Sequence, residues 1–149
     1  MLRMSLAVAA TVMMLGGAAV PATAAPAPVP PAASAPLSAA EIPNQVDVTA
    51  ANYQQVMEWS KTKPVVLDFT ADWCYWCQRQ KPYLQQYNTA DAGSWVWARV
   101  DVDANRDLYY KYRVNGIPAL LNIQNGTEAG SRLVGFDGPS SLRMWLNNL

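Results

Sequence analysis

Between Arg3 and Glu41 lie 37 consecutive residues without a charge, and none of them is aromatic. All the aromatic residues (six Trp, seven Tyr and two Phe) fall between Tyr53 and Trp145, whereas seven of the 11 prolines fall between Pro21 and Pro43. A packed core therefore has to come from the last 104 residues, about Val46 to Leu149, which is enough for one independent domain. No internal repeat or low-complexity stretch interrupts that region.

The chain ahead of it divides in two. Arg3 stands in a short n-region, followed by an apolar stretch from about Leu6 to Val20 and by Ala22-Thr23-Ala24, an A-x-A cleavage pattern. These features predict a signal peptide over residues 1–24, with Ala25 as the first mature residue, and hence an exported protein. The alternative is an uncleaved anchor, but the apolar run of about 15 residues is short for a bilayer that needs about 20. Gly16-Gly17 weakens it further as a helix. Residues 25–45, dominated by Pro and Ala, predict a flexible, partly polyproline linker, either a spacer or a disordered tail.

Composition excludes several classes of function. Lys+Arg 11 balance Asp+Glu 11, so nothing marks a nucleic-acid surface. Loss of Arg3 with the leader leaves 10 basic against 11 acidic residues, a formal charge of −1. The absence of histidine excludes Ser-His-Asp and Cys-His hydrolases and argues against zinc. Two cysteines are too few for a disulfide-dense scaffold.

Within the domain, Thr49 is the expected N-cap of a helix carrying Tyr53, Val56 and Met57 and ending near Lys61. Val65 to Phe69 reads as a buried strand. A helix is expected to start within Cys74 to Cys77 and run to about Asn88, with Leu84 and Tyr87 inward and a kink at Pro82. Trp95 to Asp101 reads as a strand, and Asp103 or Asn105 as the cap of a helix through Tyr112. Ile117 to Ile123, the Asn125-Gly126 turn and Arg132 to Phe136 read as a hairpin. Pro139 opens a last helix with Leu142, Trp145, Leu146 and Leu149 on one face. The order α-β-α-β-α-β-β-α predicts an α/β fold, a mixed sheet of about four to five strands flanked by helices. Trp95 and Trp97 read as core or sheet-face residues. Asp101 and Asp103 read as a solvated strand end with a helix cap rather than a cation site.

Cys74-Tyr75-Trp76-Cys77 follows a buried strand and opens a helix, where free N–H groups and positive potential stabilise a thiolate. Two intervening residues let the second thiol attack a mixed disulfide made by the first. Three other readings are a structural bridge across a very short loop, a metal site shared by two chains, and a pair of buried spectator thiols.

The run Val66-Leu67-Asp68-Phe69-Thr70-Ala71-Asp72-Trp73-Cys74-Tyr75-Trp76-Cys77, followed by Pro82, resembles the thioredoxin superfamily. The similarity continues through Arg99-Val100-Asp101-Val102-Asp103, Val114-Asn115-Gly116-Ile117-Pro118-Ala119-Leu120 and Val134-Gly135. The resemblance implies a thioredoxin-like fold with Cys74 as exposed nucleophile and Cys77 as resolving thiol. It implies a cis Pro118 facing the cysteines, with the Ile117 backbone pairing with an extended substrate. Trp73 would flank the site as a contact surface for the partner, and the two aromatics between the cysteines, Tyr75 and Trp76, enlarge that apolar surface beyond the family pattern. Asp68 would be the buried carboxylate that accepts the proton of Cys77.

Four positions depart from the thioredoxin pattern. Tyr75-Trp76 replaces Gly-Pro between the cysteines, and is expected to make the couple less reducing than thioredoxin, at about −270 mV. Arg99 replaces a lysine near the buried acid; pointing inward it would hold Asp68 ionised, pointing outward it would not. Thr70 replaces an aromatic residue.

The expectation is therefore an exported, periplasmic thiol–disulfide oxidoreductase acting on protein cysteines or disulfides, with the reductase direction slightly favoured. It would need no metal or organic cofactor and no nucleic acid, and it would be a monomer. A separate redox-recycling partner, expected to be a membrane protein, would regenerate it. The competing expectation is a thioredoxin-fold binding or assembly module without essential redox turnover.

Overall fold

Strands covered on both faces are rich in apolar residues, and Val65–Thr70 (β2), Val96–Asp101 (β3) and Ala119–Gln124 (β4) are buried along most of their length. They form the centre of the protein in a computed structural model that describes residues 42–149. The expected signal peptide, and the linker as far as residue 41, lie outside the described residues. Around the central strands run Gln45–Asp47 (β1), Tyr53–Trp59 (α1), Tyr75–Ala90 (α2), Arg106–Lys111 (α3), Thr127–Glu128 (β5), Leu133–Val134 (β6) and Pro139–Leu146 (α4).

The sheet order is β1-β3-β2-β4-β5, with β6 also pairing with β4. β1, β3 and β2 are parallel, and β4 is antiparallel to β2. The sheet is mixed, as expected for two helical crossovers followed by a hairpin. One face is covered by apolar residues of α1 and α3, including Val56, Met57 and Leu108. The other packs Val66, Trp97 and Leu120 against Leu84 of α2 and Leu142 and Leu146 of α4.

Several boundaries differ from the sequence expectation. The packed region begins earlier than composition suggests: Ile42 is 4% exposed, and Gln45, in the stretch read as linker, opens β1. α1 has Asn52, not Thr49, at its N-cap. Thr49 stays in the motif, because its hydroxyl accepts from Asn52 N–H (3.3 Å) and its own N–H donates to Asn52 Oδ1 (2.8 Å). Asn105 occupies the N-cap of α3 without a side-chain capping bond. Instead, Asp101 Oδ1 accepts from the N–H groups of Asp103 and Ala104, at 2.8 and 3.3 Å. β4 starts at Ala119, after Ile117 and Pro118, since Pro118 has no N–H to give to a ladder.

The expected return strand, Arg132 to Phe136, is shortened to Leu133–Val134, and an unexpected two-residue strand, β5, precedes it. Asn125 and Gly126, at φ 52° and 77°, make the tight turn that a two-residue hairpin requires. β5 pairs with β4, the chain then leaves the sheet, and it rejoins β4 as β6, where Leu133 pairs with Leu120. The turn is gripped by the end of α1: Asn125 N–H donates to Ser60 O (2.8 Å), and Gly126 N–H to Ser60 Oγ (2.8 Å).

Candidate active site

β2 delivers the chain to a tight turn at Ala71–Trp73, closed by Cys74 N–H donating to Ala71 O at 3.1 Å. Cys74 is thereby placed at the N-cap of the 16-residue helix α2, and its Sγ accepts from the N–H of Cys77 at 3.2 Å. The sulfur sits where unpaired helix N–H groups and the positive end of the macrodipole favour a negative charge. Cys74 and Cys77 are joined in a disulfide, with Cα atoms 5.2 Å apart.

In this oxidised form the two cysteines are equally covered, at 5% and 4% exposure. Cys74, expected to be the exposed nucleophile, is buried here, with its sulfur bonded to that of Cys77. Exposure resides in the flanking aromatics: Trp73 is 69% exposed, Tyr75 63% and Trp76 53%. They are held in place rather than loose. Trp73 Nε1 donates to Asp103 Oδ2 at 2.7 Å, Tyr75 meets Trp76 edge-on at 5.1 Å, and Arg79 lies 5.6 Å over the Tyr75 ring.

Two clefts flank these aromatics. One, of about 460 Å³, is walled by Trp73, Asp103, Arg106, Tyr109, Tyr110 and Ile117, so it brings Trp73 and Ile117 together. The second, of about 610 Å³, lies between Trp76, Arg79 and Tyr83 and the segment Gly135 to Pro139. The Ile117–Pro118 peptide is cis, Pro118 is buried, and its carbonyl accepts from Gly135 N–H at 2.8 Å. The cis peptide thus links the two clefts: Ile117 lines the first, and Gly135, bonded to the Pro118 carbonyl, lines the second.

Asp68 is buried in β2, and its Oδ2 accepts from Trp97 Nε1 at 2.9 Å. Burial pushes the carboxyl up to about 6, against the opposing pull of the Trp97 hydrogen bond and of the Arg99 and Lys81 charges. It lines a cavity of about 210 Å³ with Thr70, Gln78, Lys81 and Arg99. Gln78 directly follows Cys77, so the cavity reaches the first turn of α2. A buried carboxyl raised to about 6, in a cavity that reaches the first turn of α2, can take up and release a proton there. Arg99 points into this cavity but pairs with Asp47 at 2.7 Å, so neither simple alternative for it holds alone.

Sequence reasoning missed three residues of the site. Trp97, read as core, is also the hydrogen-bond donor to Asp68; its position two residues before Arg99 in β3 was the available signal. Asp103, read as a helix cap, holds Trp73. Asp47 lay in a strand too short to register. Among the described residues no group of three or more His, Cys, Asp or Glu could hold a metal ion.

The thioredoxin family model matches residues 44–148, from the edge of β1 through α4. This chain belongs to the thioredoxin family. Mitochondrial thioredoxin of Mus musculus is 36% identical over 86 residues, 58% of this chain and 51% of that protein. Thioredoxin of Mycobacterium tuberculosis is 33% identical over 90 residues, 60% and 77% of the two chains. The bifunctional thioredoxin reductase/thioredoxin of Mycobacterium leprae is 32% identical over 83 residues, 56% of this chain and 18% of that protein. The matched segment spans about half the length of the mitochondrial thioredoxins.

Proposed function

We propose that the protein is an exported thiol–disulfide oxidoreductase that exchanges disulfides with protein substrates through its Cys-Tyr-Trp-Cys dithiol. The observation carrying this reading is the Cys74–Cys77 disulfide at the N-terminus of α2, in a chain of the thioredoxin family. In the reducing direction, the Cys74 thiolate attacks one sulfur of a substrate disulfide and releases the other as a thiolate. The Cys77 thiol then gives its proton to Asp68, and its sulfur attacks Cys74 Sγ. The second substrate sulfur leaves as a thiolate. Both substrate thiolates end protonated, one from Asp68 and one from solvent. Two electrons have passed from the dithiol to the substrate, and Cys74–Cys77 is again a disulfide.

Trp73, Tyr75 and Trp76 supply the apolar contact, and the Ile117–Pro118 edge offers backbone to an extended substrate segment. The periplasm is the compartment that fits the leader. A redox partner at the membrane is the recycling route that fits an exported dithiol; the M. leprae relative is a bifunctional thioredoxin reductase/thioredoxin.

Insulin reduction with dithiothreitol tests the reading: wild type should accelerate precipitation, and Cys74→Ser should not. Wild type at the uncatalysed rate would remove the enzyme reading. Cys77→Ala should accumulate mixed disulfides and so retain substrates and recycling partner for identification. The potential of the couple should be less reducing than about −270 mV, measured against glutathione.

A further inference from the structure

Asp47, Arg99 and Asp68 stand directly across three adjacent parallel strands: β1 pairs Asp47 with Arg99, and β3 pairs Arg99 with Asp68. All three line the 210 Å³ cavity. The Arg99 guanidinium donates one hydrogen bond to Asp47, Nη2 to Oδ2 at 2.9 Å; its Nε lies at ion-pair distance from Oδ1, 2.7 Å, but is buried without a hydrogen-bond partner. It also lies 5.3 Å over the ring of Trp97, the same indole that donates to Asp68 Oδ2. Asp68 Oδ1 is buried and has no hydrogen-bond partner.

That arrangement requires a cause. Arginine is a permanent charge with a planar fork of donors, and a buried carboxylate oxygen without a donor is a strong attractor for it. With its register neighbours Asp47 on one side and Asp68 on the other, Arg99 is turned to the exposed one.

We propose that Asp47 is a positioning residue, which holds the Arg99 guanidinium at the edge of the sheet and leaves Asp68 Oδ1 free to take and return a proton. Its consequence for turnover rests on the proposed role of Asp68 in accepting the proton of Cys77; the positioning does not. The other charged groups facing the cavity are Lys81 from α2, Asp72 from the turn before α2 and Asp101 at the end of β3. β4 places Leu120 opposite Asp68 and adds no charge. Lys81 is exposed, and Asp101 Oδ1 is occupied by the turn before α3. Arg99 is therefore the charge whose displacement would reach Asp68.

The test is the titration of the Asp68 carboxyl carbon by NMR in the oxidised full chain, together with hydrogen exchange of the Arg99 guanidinium. In Asp47→Asn the Asp68 midpoint should fall by about one pH unit or more, and the Arg99 N–H protons should exchange more slowly as they enter the buried site. Asp47→Glu should keep the wild-type midpoint. Asp47→Asn combined with Arg99→Met should return the midpoint to the wild-type value or above. A midpoint unchanged or raised in Asp47→Asn overturns the proposal, as does a fall without slower Arg99 exchange, which charge removal alone would produce. Decay of the mixed disulfide in the same variants separates the two readings. A shifted midpoint with unchanged decay supports the positioning and refutes Asp68 as the proton acceptor.

Discussion

Along β2, Val65, Leu67 and Phe69 turn to one face of the sheet, while Val66 and Asp68 turn to the other. The same alternation puts Val96, Ala98 and Val100 of β3, and Ala119, Leu121 and Ile123 of β4, on the first face. The second carries Trp97, Arg99, Leu120 and Asn122. One face is therefore apolar at every position of its central strands, and the other is about half polar. Burying an unpaired charge costs several kcal/mol, and the apolar face offsets that cost for the polar one. Stability and proton chemistry are divided between two sides of the same three strands.

The division can be broken from either side. Phe69→Ala, on the apolar face, should lose about 3–5 kcal/mol of stability in denaturant unfolding while leaving the Asp68 midpoint in place. Asp68→Asn should do the opposite. The Asp68 carboxyl is raised from 3.8 to about 6 in the folded protein, so between those values the native state binds more protons than the unfolded one. Stability must then fall as pH rises through that window. Removing the charge should raise stability at pH 8 by up to about 3 kcal/mol, and the gain should vanish below about pH 4. The same variant should slow resolution of the mixed disulfide by about 10²-fold or more. An Asp68→Asn protein no more stable than wild type at pH 8 would mean that burial of the charge is already compensated.

Smaller changes sharpen the picture. Trp97→Phe removes the donor that lowers the Asp68 carboxyl, so its midpoint should rise, with about 1–3 kcal/mol of stability lost from the missing charged hydrogen bond at pH 8. Lys61→Ala, away from both faces, breaks an ion pair with Glu58 whose side chains are 57% and 61% exposed. It should change stability by less than about 1 kcal/mol.

The apolar face was legible in the sequence because unbroken β-branched and aliphatic runs leave little choice of element. So was the dithiol, since Cys74 follows such a run and opens a helix. The polar face was only partly legible. Asp68 stood out as a carboxylate inside Val-Val-Leu-Asp-Phe, but its partners depend on strand register, which a sequence does not display. Trp97 reaches Asp68 because β3 lies parallel to β2 with Val66 opposite Trp97. β1 was hidden because three residues, Gln45-Val46-Asp47, are too few to show alternation beside a proline-rich stretch. β5, ahead of the expected return strand, was equally invisible, since two residues show no alternation and Gly130 and Ser131 separate it from β6 without a proline to announce the break.

The grip of Ser60 on the β4–β5 turn bears on how the molecule ages. Asn-Gly is the dipeptide most prone to deamidation, because the unhindered glycine nitrogen can attack the asparagine side chain and close a succinimide. In the folded protein that nitrogen, Gly126 N, is engaged by Ser60 Oγ, which itself donates to Met57 O at 2.6 Å. The end of α1 therefore acts as a chemical preservative for Asn125, and the folded protein should accumulate isoaspartate at this turn more slowly than the unfolded chain.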